Sequence, residues 1–202
     1  MEGCAVRHHR YLQRFTLTAC LACIAYLLLY FSFTIIPIVP YLKVDLALIP
    51  ILFGFFVLGP QWGCGVVFLQ AAVYFVLTGP SVGHLIGVLS NVLAALSFCL
   101  PFYWTMRPCV RCGKPSWMRE GLALVTGTVV MTVVMALANW LVLTPLYINV
   151  IGMRLALPLP KLVLFGIIPF NLIKGVIVGG CFAVLYHYTA RWVLRECHQL
   201  EE

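Results

Sequence analysis

The stretch LALVTGTVVMTVVMALANWLVL, residues 122–143, contains no charged side chain. A helix needs about 20 apolar residues to cross a hydrocarbon core of about 30 Å, so this stretch predicts a membrane-spanning helix. The whole chain has the same character, since 63% of its 202 residues are hydrophobic and 9% are charged. An ordinary soluble domain has about 25% charged residues. We therefore expect an integral membrane protein without a separate soluble domain.

Five further apolar stretches complete the predicted set of membrane helices. Pro37 and Pro40 end the first of them, and the turn sequence GPQWG (59–63) divides the second from the third. We expect the second and third helices to be short or tilted. The predicted spans form a single transmembrane domain over residues 1–202, at about 15–36, 46–58, 61–78, 85–104, 122–143 and 162–187.

The formal net charge of +7 comes mainly from basic residues at the two termini and in a central loop, 105–120. These residues are Arg7, Arg10, Arg14, Arg107, Arg111, Lys114, Arg119, Arg191 and Arg195. Six spans place all three clusters on one side of the membrane, which is the cytoplasmic side by the positive-inside rule. We expect a multi-pass protein of the cell membrane with both termini in the cytoplasm. This topology explains the positive charge without nucleic-acid binding.

The nine cysteines predict neither a disulfide framework nor a metal site. Cys109 and Cys112 form one CxxC pair, whereas a structural zinc site needs four ligands. The sequence also lacks the common hydrolase, metalloprotease and nucleotide-binding motifs. We therefore predict no metal, no resident cofactor and no enzymatic activity, and any ATP hydrolysis that drives the protein must come from a partner.

Lys174, within IIPFNLIKG (167–175), is the residue most indicative of function. A lysine near the bilayer centre costs about 2.5–3.5 kcal/mol, so it must face an interior, a cavity or a partner. The alternative is that it extends to the outer interface. Asn171 lies on the same helical face. No acidic residue lies inside a predicted span, and only Asp45 is near the outer edge, so we interpret Lys174 as facing a ligand rather than an internal salt bridge.

Other polar or small residues inside the predicted spans have two interpretations each. Asn139 in the fifth span and Asn91 in the fourth suit either a ligand or an interhelical hydrogen bond, and for Asn91 alone we favour packing. The first span carries a face of small residues, which suits either internal packing or docking of another membrane subunit. That face consists of Thr18 with Ala22 and Ala19 with Cys23.

Five motifs resemble the riboflavin-specific S components of energy-coupling factor (ECF) vitamin transporters over about residues 15–190. They are KVDLALIP (43–50), VLGPQWG (57–63), IGVLSNVL (86–93), MALANWLVLTPLY (135–147) and IIPFNLIKG (167–175). The earlier motifs in this series are shared widely among S components, so they indicate little about the substrate. The Asn…PLY segment followed by PFNLIKG is typical of the riboflavin branch.

The resemblance implies an all-α fold of six transmembrane helices, the ECF S-component fold, with a pocket open to the outside. It implies that Asn139, Asn171 and Lys174 bind the flavin ring, whose pyrimidine edge offers two carbonyl oxygens and one N–H. It also implies that the first outer loop covers the pocket. A second, weaker set of predicted ligand-binding residues comprises Leu42, Asp45, Asn91 and Tyr147.

The resemblance further implies partners, namely a transmembrane coupling subunit and two ATPase subunits that power high-affinity riboflavin uptake. The coupling subunit would dock on the small-residue face of the first span, which matches the alanine–xxx–alanine motif of the family only in part. Members of the family often carry a lysine on the third helix. The corresponding stretch of this chain, FLQAAVYF (68–75), has none. The alternatives are an S component for another vitamin or small nutrient, and a membrane enzyme that uses Cys109 and Cys112.

Overall fold

The computed structural model describes residues 2–34, 43–79, 81–111, 116–152 and 158–201, and the side chains within 11–34, 43–79, 81–108, 116–150, 152 and 158–189. Its helices are α1 (Glu2–Tyr30), α2 (Leu48–Val57), α3 (Pro60–Thr78), α4 (Val82–Arg111), α5 (Trp117–Ala138), α6 (Thr144–Ile151), α7 (Leu159–Leu162) and α8 (Ile168–Glu201). Two π-helical turns, Asn139–Leu143 and Val163–Ile167, join α5 to α6 and α7 to α8. Two short antiparallel strands, β1 (Phe33–Thr34) and β2 (Lys43–Val44), follow α1. Cys112, Leu42 and the side chain of Cys109 lie outside the described residues.

The membrane-length helices and one shorter apolar helix make up the expected all-α, six-helix fold. Within the described residues, five helical segments are long and apolar enough to cross a membrane: Tyr11–Tyr30, Pro60–Thr78, Val82–Pro108, Trp117–Val150 and Leu159–Thr189. The remaining helix, α2, has 10 residues. Because such a helix rises about 15 Å, α2 covers only half of the hydrocarbon core. The all-α, six-helix fold predicted from the sequence is confirmed, with five membrane-length helices and one shorter helix.

The GPQWG motif forms the tight connection between α2 and α3. Gly59 has a φ of 92°, a left-handed conformation that favours glycine. Pro60 then begins α3, where its fixed φ and missing N–H cost nothing. Gly63, in the first turn of α3, lies directly against Phe55 of α2. The motif therefore both turns the chain and lets the two helices approach closely.

The hydrophobic core is built around α2, which lies between α1, α3, α4 and α8. Every residue of α2 except Phe53 is buried. The ring of Phe56 stacks on that of Phe182 from α8 at a centroid distance of 5.4 Å, and Phe102 from α4 meets Phe182 edge-on at 5.5 Å. This aromatic packing fills the half of the bundle towards the C-terminal ends of α4 and α8.

The small-residue face of α1 divides into a buried side and an outer side. Thr18 and Ala22 are 5% and 0% exposed, and Thr18 faces Gly65 of α3. Ala19 is half-buried and Cys23 is exposed. Small side chains let the two helices pack closely, so Thr18 and Ala22 belong to internal packing. Of the four residues in the predicted docking face, two are therefore buried inside the bundle, and only Ala19 and Cys23 lie towards the outer side of the helix.

Candidate ligand-binding site

A cavity of about 250 Å³ lies in the half of the bundle away from both chain termini. Its lining comes from the C-terminal end of α1, the β2 segment, α3, α4, the helix from α5 to α6, and α8. Six of the seven predicted ligand-binding residues line it: Asp45, Asn91, Asn139, Tyr147, Asn171 and Lys174. The tertiary fold thus brings together residues that are up to 129 positions apart in the sequence.

Lys174 forms a buried ion pair with Asp45. The Lys174 Nζ lies 3.0 Å from Asp45 Oδ2, and the two side chains are 6% and 7% exposed. The second carboxylate oxygen, Oδ1, accepts the backbone N–H of Ala47 at 3.1 Å. The expectation that Lys174 has no internal salt bridge is therefore wrong, because Asp45, directly after β2, is buried in the lining of the same cavity. An ammonium group has three N–H donors, so Lys174 can keep this pair and still donate to a ligand.

Asn139 and Asn171 hold similar positions on the α5 and α8 sides of the cavity. Each Nδ2 donates at 2.8 Å to the backbone carbonyl four residues earlier, Asn139 to Met135 and Asn171 to Ile167. A carbonyl only accepts, so this bond orients each amide. Each side chain retains its Oδ1 acceptor and one N–H donor. Both asparagines are therefore oriented by their own helix and keep groups that can pair with a ligand.

The two π-helical turns lie directly beside these asparagines. Asn139 is the first residue of one turn, and Ile167, whose carbonyl accepts from Asn171, is the last residue of the other. Such turns occur frequently at functional sites, because the extra residue shifts the side chains that follow. Neither turn was predicted from the sequence, since both lie within apolar runs that suit a regular helix.

The remaining lining provides apolar walls and further polar groups. The apolar part includes Leu29, Ala71, Val88, Ala94, Met135 and Phe170. The polar lining residues that were not predicted from the sequence are Ser32, Lys43, Gln70, Tyr74 and Ser90. Gln70 had a detectable signal, since it is a primary amide inside an otherwise apolar helix. A cavity with apolar walls and a few convergent polar groups is typical of a small-molecule site.

The described side chains offer no alternative metal centre. No group of three or more His, Cys, Asp or Glu residues within them could hold a metal ion. The polar groups of the cavity are instead amides, hydroxyls, one ion pair and, at its exposed edge, the ammonium of Lys43. They suit a neutral organic ligand that carries hydrogen-bond donors and acceptors on a flat or apolar body.

Sequence comparison relates the chain to a transporter family. The profile described as "ECF transporter, substrate-specific component" matches residues 13–186. The protein named riboflavin transporter RibU from Staphylococcus aureus is 32% identical over 184 residues, which cover 91% of this chain and 93% of that protein. The protein of the same name from Streptococcus thermophilus is 30% identical over 172 residues, covering 83% and 78%. The riboflavin transporter FmnP from Bacillus subtilis is 25% identical over 185 residues, covering 90% and 94%.

Structure comparison gives the same relationship. A solved chain described under "Structure and mechanism of the S component of a bacterial ECF transporter" superposes with a TM-score of 0.73. It is 31% identical, and the match covers 91% of this chain and 98% of that chain. The similarity therefore extends over nearly the whole bundle, including the helices that line the cavity.

Proposed function

The chain belongs to the family of ECF transporter substrate-specific components, and on this premise we propose that it is the high-affinity riboflavin-binding subunit of an ECF importer. It is a multi-pass membrane transport protein and not an enzyme. Riboflavin would be its transported ligand rather than a resident cofactor. The names of the relatives and the chemistry of the cavity support this substrate independently.

The observation that carries the proposal is the convergence of three buried polar side chains on one cavity. Counted over the whole residue, Asn139, Asn171 and Lys174 are 6%, 2% and 4% exposed, and they come from the α5 and α8 sides. The pyrimidine edge of a flavin offers two carbonyl oxygens and one N–H. Lys174 can donate to an oxygen, and the free Oδ1 of an asparagine can accept from the N–H. The donors and acceptors of site and ligand are therefore complementary.

The other lining residues suit the rest of a flat ring system. Tyr74 and Phe170 provide aromatic surface, and Val88 and Met135 provide aliphatic surface. Aromatic and apolar walls are the usual environment of such ligands. We infer weaker contributions from Asp45, Asn91 and Tyr147, and from Leu42 on sequence grounds alone.

We further propose that both termini and the loop 105–120 face the cytoplasm, so the cavity opens towards the outside. The basic clusters support this orientation. The chain contains no nucleotide-binding motif, so a transmembrane coupling subunit and two ATPase subunits would supply the energy. The remaining alternative is an S component of the same architecture for another vitamin or small nutrient.

The direct test is a fluorescence titration of the detergent-purified protein with riboflavin. We expect saturable quenching that approaches one equivalent of flavin per chain. Absence of both quenching and co-purified flavin absorbance would refute the riboflavin assignment. It would favour the alternative nutrient, which a vitamin panel would then identify.

Asn171→Leu should weaken riboflavin binding about five- to tenfold, because it removes an oriented amide of the proposed ring site. Asn149→Leu is the matched control, since Asn149 is exposed and does not line the cavity. Isothermal titration calorimetry or fluorescence titration of both variants with riboflavin would measure the difference in dissociation constant. Equal affinities for the two variants would remove Asn171 from the site.

Cys23→Trp should reduce co-purification of the coupling subunit by at least half without changing riboflavin affinity. The bulky ring would project from the outer side of α1, where a partner would need close approach. Val125→Trp on the exposed surface of α5 is the control for a general effect of a tryptophan in the membrane. Unchanged co-purification of Cys23→Trp would place the docking surface elsewhere.

A further inference from the structure

Gln70 is a buried primary amide whose polar atoms make no hydrogen bond to the described part of the bundle. It lies in α3, is 1% exposed and lines the cavity. Neither its Nε2 nor its Oε1 has a hydrogen-bond partner among the described residues. By contrast, Asn139 and Asn171 each use one N–H on a backbone carbonyl of their own helix. The acceptor and the two N–H donors of Gln70 are therefore all unpaired within the described residues.

A buried amide without hydrogen-bond partners lowers the stability of the folded protein. Burial removes the hydrogen bonds that the amide makes with water, and nothing in the described part of the chain replaces them. An apolar side chain of similar length would avoid this cost. The neighbouring buried residues of α3, Val66, Val67 and Ala71, are apolar. Packing therefore does not explain a glutamine here, whereas a polar group that enters the cavity does.

Gln70 belongs to a different wall of the cavity from the proposed ring-binding residues. Its helix, α3, packs mainly against α1, α2 and α4. Asn139 and Asn171 come from the other wall, where α5 packs against α8. A ligand whose pyrimidine edge is held by α5 and α8 would therefore present another of its groups to Gln70.

We propose that Gln70 hydrogen-bonds the hydroxylated side chain of the flavin and so contributes to selection of a ribityl-bearing ligand. This inference rests on the proposed riboflavin function. The dimethyl-substituted end of the ring has no hydrogen-bonding group, so it cannot satisfy a primary amide. Each ribityl hydroxyl both donates and accepts, and an amide offers both complementary functions. Gln70 is thus a specificity residue, separate from the residues that hold the ring.

The test compares two flavins on the full-length protein. Lumiflavin carries the same ring system as riboflavin, with a methyl group in place of the ribityl chain. In Gln70→Leu, we expect the dissociation constant for riboflavin to rise about tenfold and that for lumiflavin to change less than twofold. The thermal stability of the ligand-free variant should equal or exceed that of the wild type, because an unpaired buried amide is removed.

Two further variants complete the experiment. Gln61→Leu is the matched control, because Gln61 lies in the first turn of the same helix, is exposed and does not line the cavity. Gln70→Met keeps the length of the side chain without its hydrogen bonds, and it replaces Gln70→Leu if that variant is not recovered folded. We expect Gln61→Leu to bind both flavins as the wild type does.

The outcomes separate this inference from the function on which it rests. Wild-type affinity of Gln70→Leu or Gln70→Met for riboflavin would overturn it. Equal losses for riboflavin and lumiflavin would also overturn it, because they would assign Gln70 to the ring rather than to the ribityl chain. A wild-type protein that binds neither flavin would refute the proposed function itself. A loss of affinity for riboflavin but not for lumiflavin in the Gln70 variants would support both the role of Gln70 and the proposed riboflavin function.

Discussion

Lys174→Ala is expected to weaken riboflavin binding at least tenfold and to destabilise the folded protein. A hydrogen bond from a charged group contributes about 1.5–3 kcal/mol, and the substitution removes the proposed charged donor to the flavin ring. It also leaves Asp45 buried without its partner, since the two side chains are only 6% and 7% exposed. Removing one member of a buried ion pair typically costs about 3–5 kcal/mol.

A second variant separates the two effects. In Lys174→Ala combined with Asp45→Asn, the unpaired charge is gone, so part of the lost thermal stability should return while riboflavin binding stays weak. Lys161→Ala is the control, because Lys161 is exposed in α7 and does not line the cavity. Thermal unfolding and flavin titration of the purified variants measure both quantities. Recovery of full affinity in the double variant would show that Lys174 acts only through Asp45.

Gly63→Ala is expected to lower the stability of the protein by about 1–3 kcal/mol, the usual cost of overpacking. A Cβ at this position would lie 2.6 Å from the ring of Phe55 and 2.9 Å from its Cα. The Cα belongs to the backbone of α2 and cannot rotate away, so α2 and α3 would have to separate. Because α2 forms the centre of the core, the displacement would reach its other neighbours.

Gly180→Ala provides the comparison for that variant. Nothing lies within 4 Å of a Cβ at Gly180, so alanine adds no clash there. In a helix, alanine is more favourable than glycine by about 1 kcal/mol, so this variant should unfold at an equal or higher temperature. Thermal unfolding of the two detergent-purified variants in parallel measures the contrast. Equal stability of Gly63→Ala and the wild type would contradict the close packing of α2 on α3.

The sequence was sufficient for the membrane class and the helical fold, because length and hydropathy directly decide which segments can cross a bilayer. It also selected Lys174 and its neighbour Asn171, since a charge in an apolar span needs a specific environment. The pairing of Lys174 with Asp45 was missed. The two residues are 129 positions apart, and Asp45 lies outside every helix of the bundle, so no local pattern connects them.

The tertiary structure alone decided how the polar and small residues are used. It buried Thr18 and Ala22 inside the bundle and left Cys23 outside, although all three belong to the same apolar helix. It also placed Gln70 in the wall of the cavity, on a different helix from the two asparagines. Composition and periodicity determine which segments enter the membrane, because the length and hydropathy of each segment decide by themselves whether it can cross the bilayer. Which side chains then share a cavity depends on how the helices pack, and that follows from contacts between segments distant in the chain.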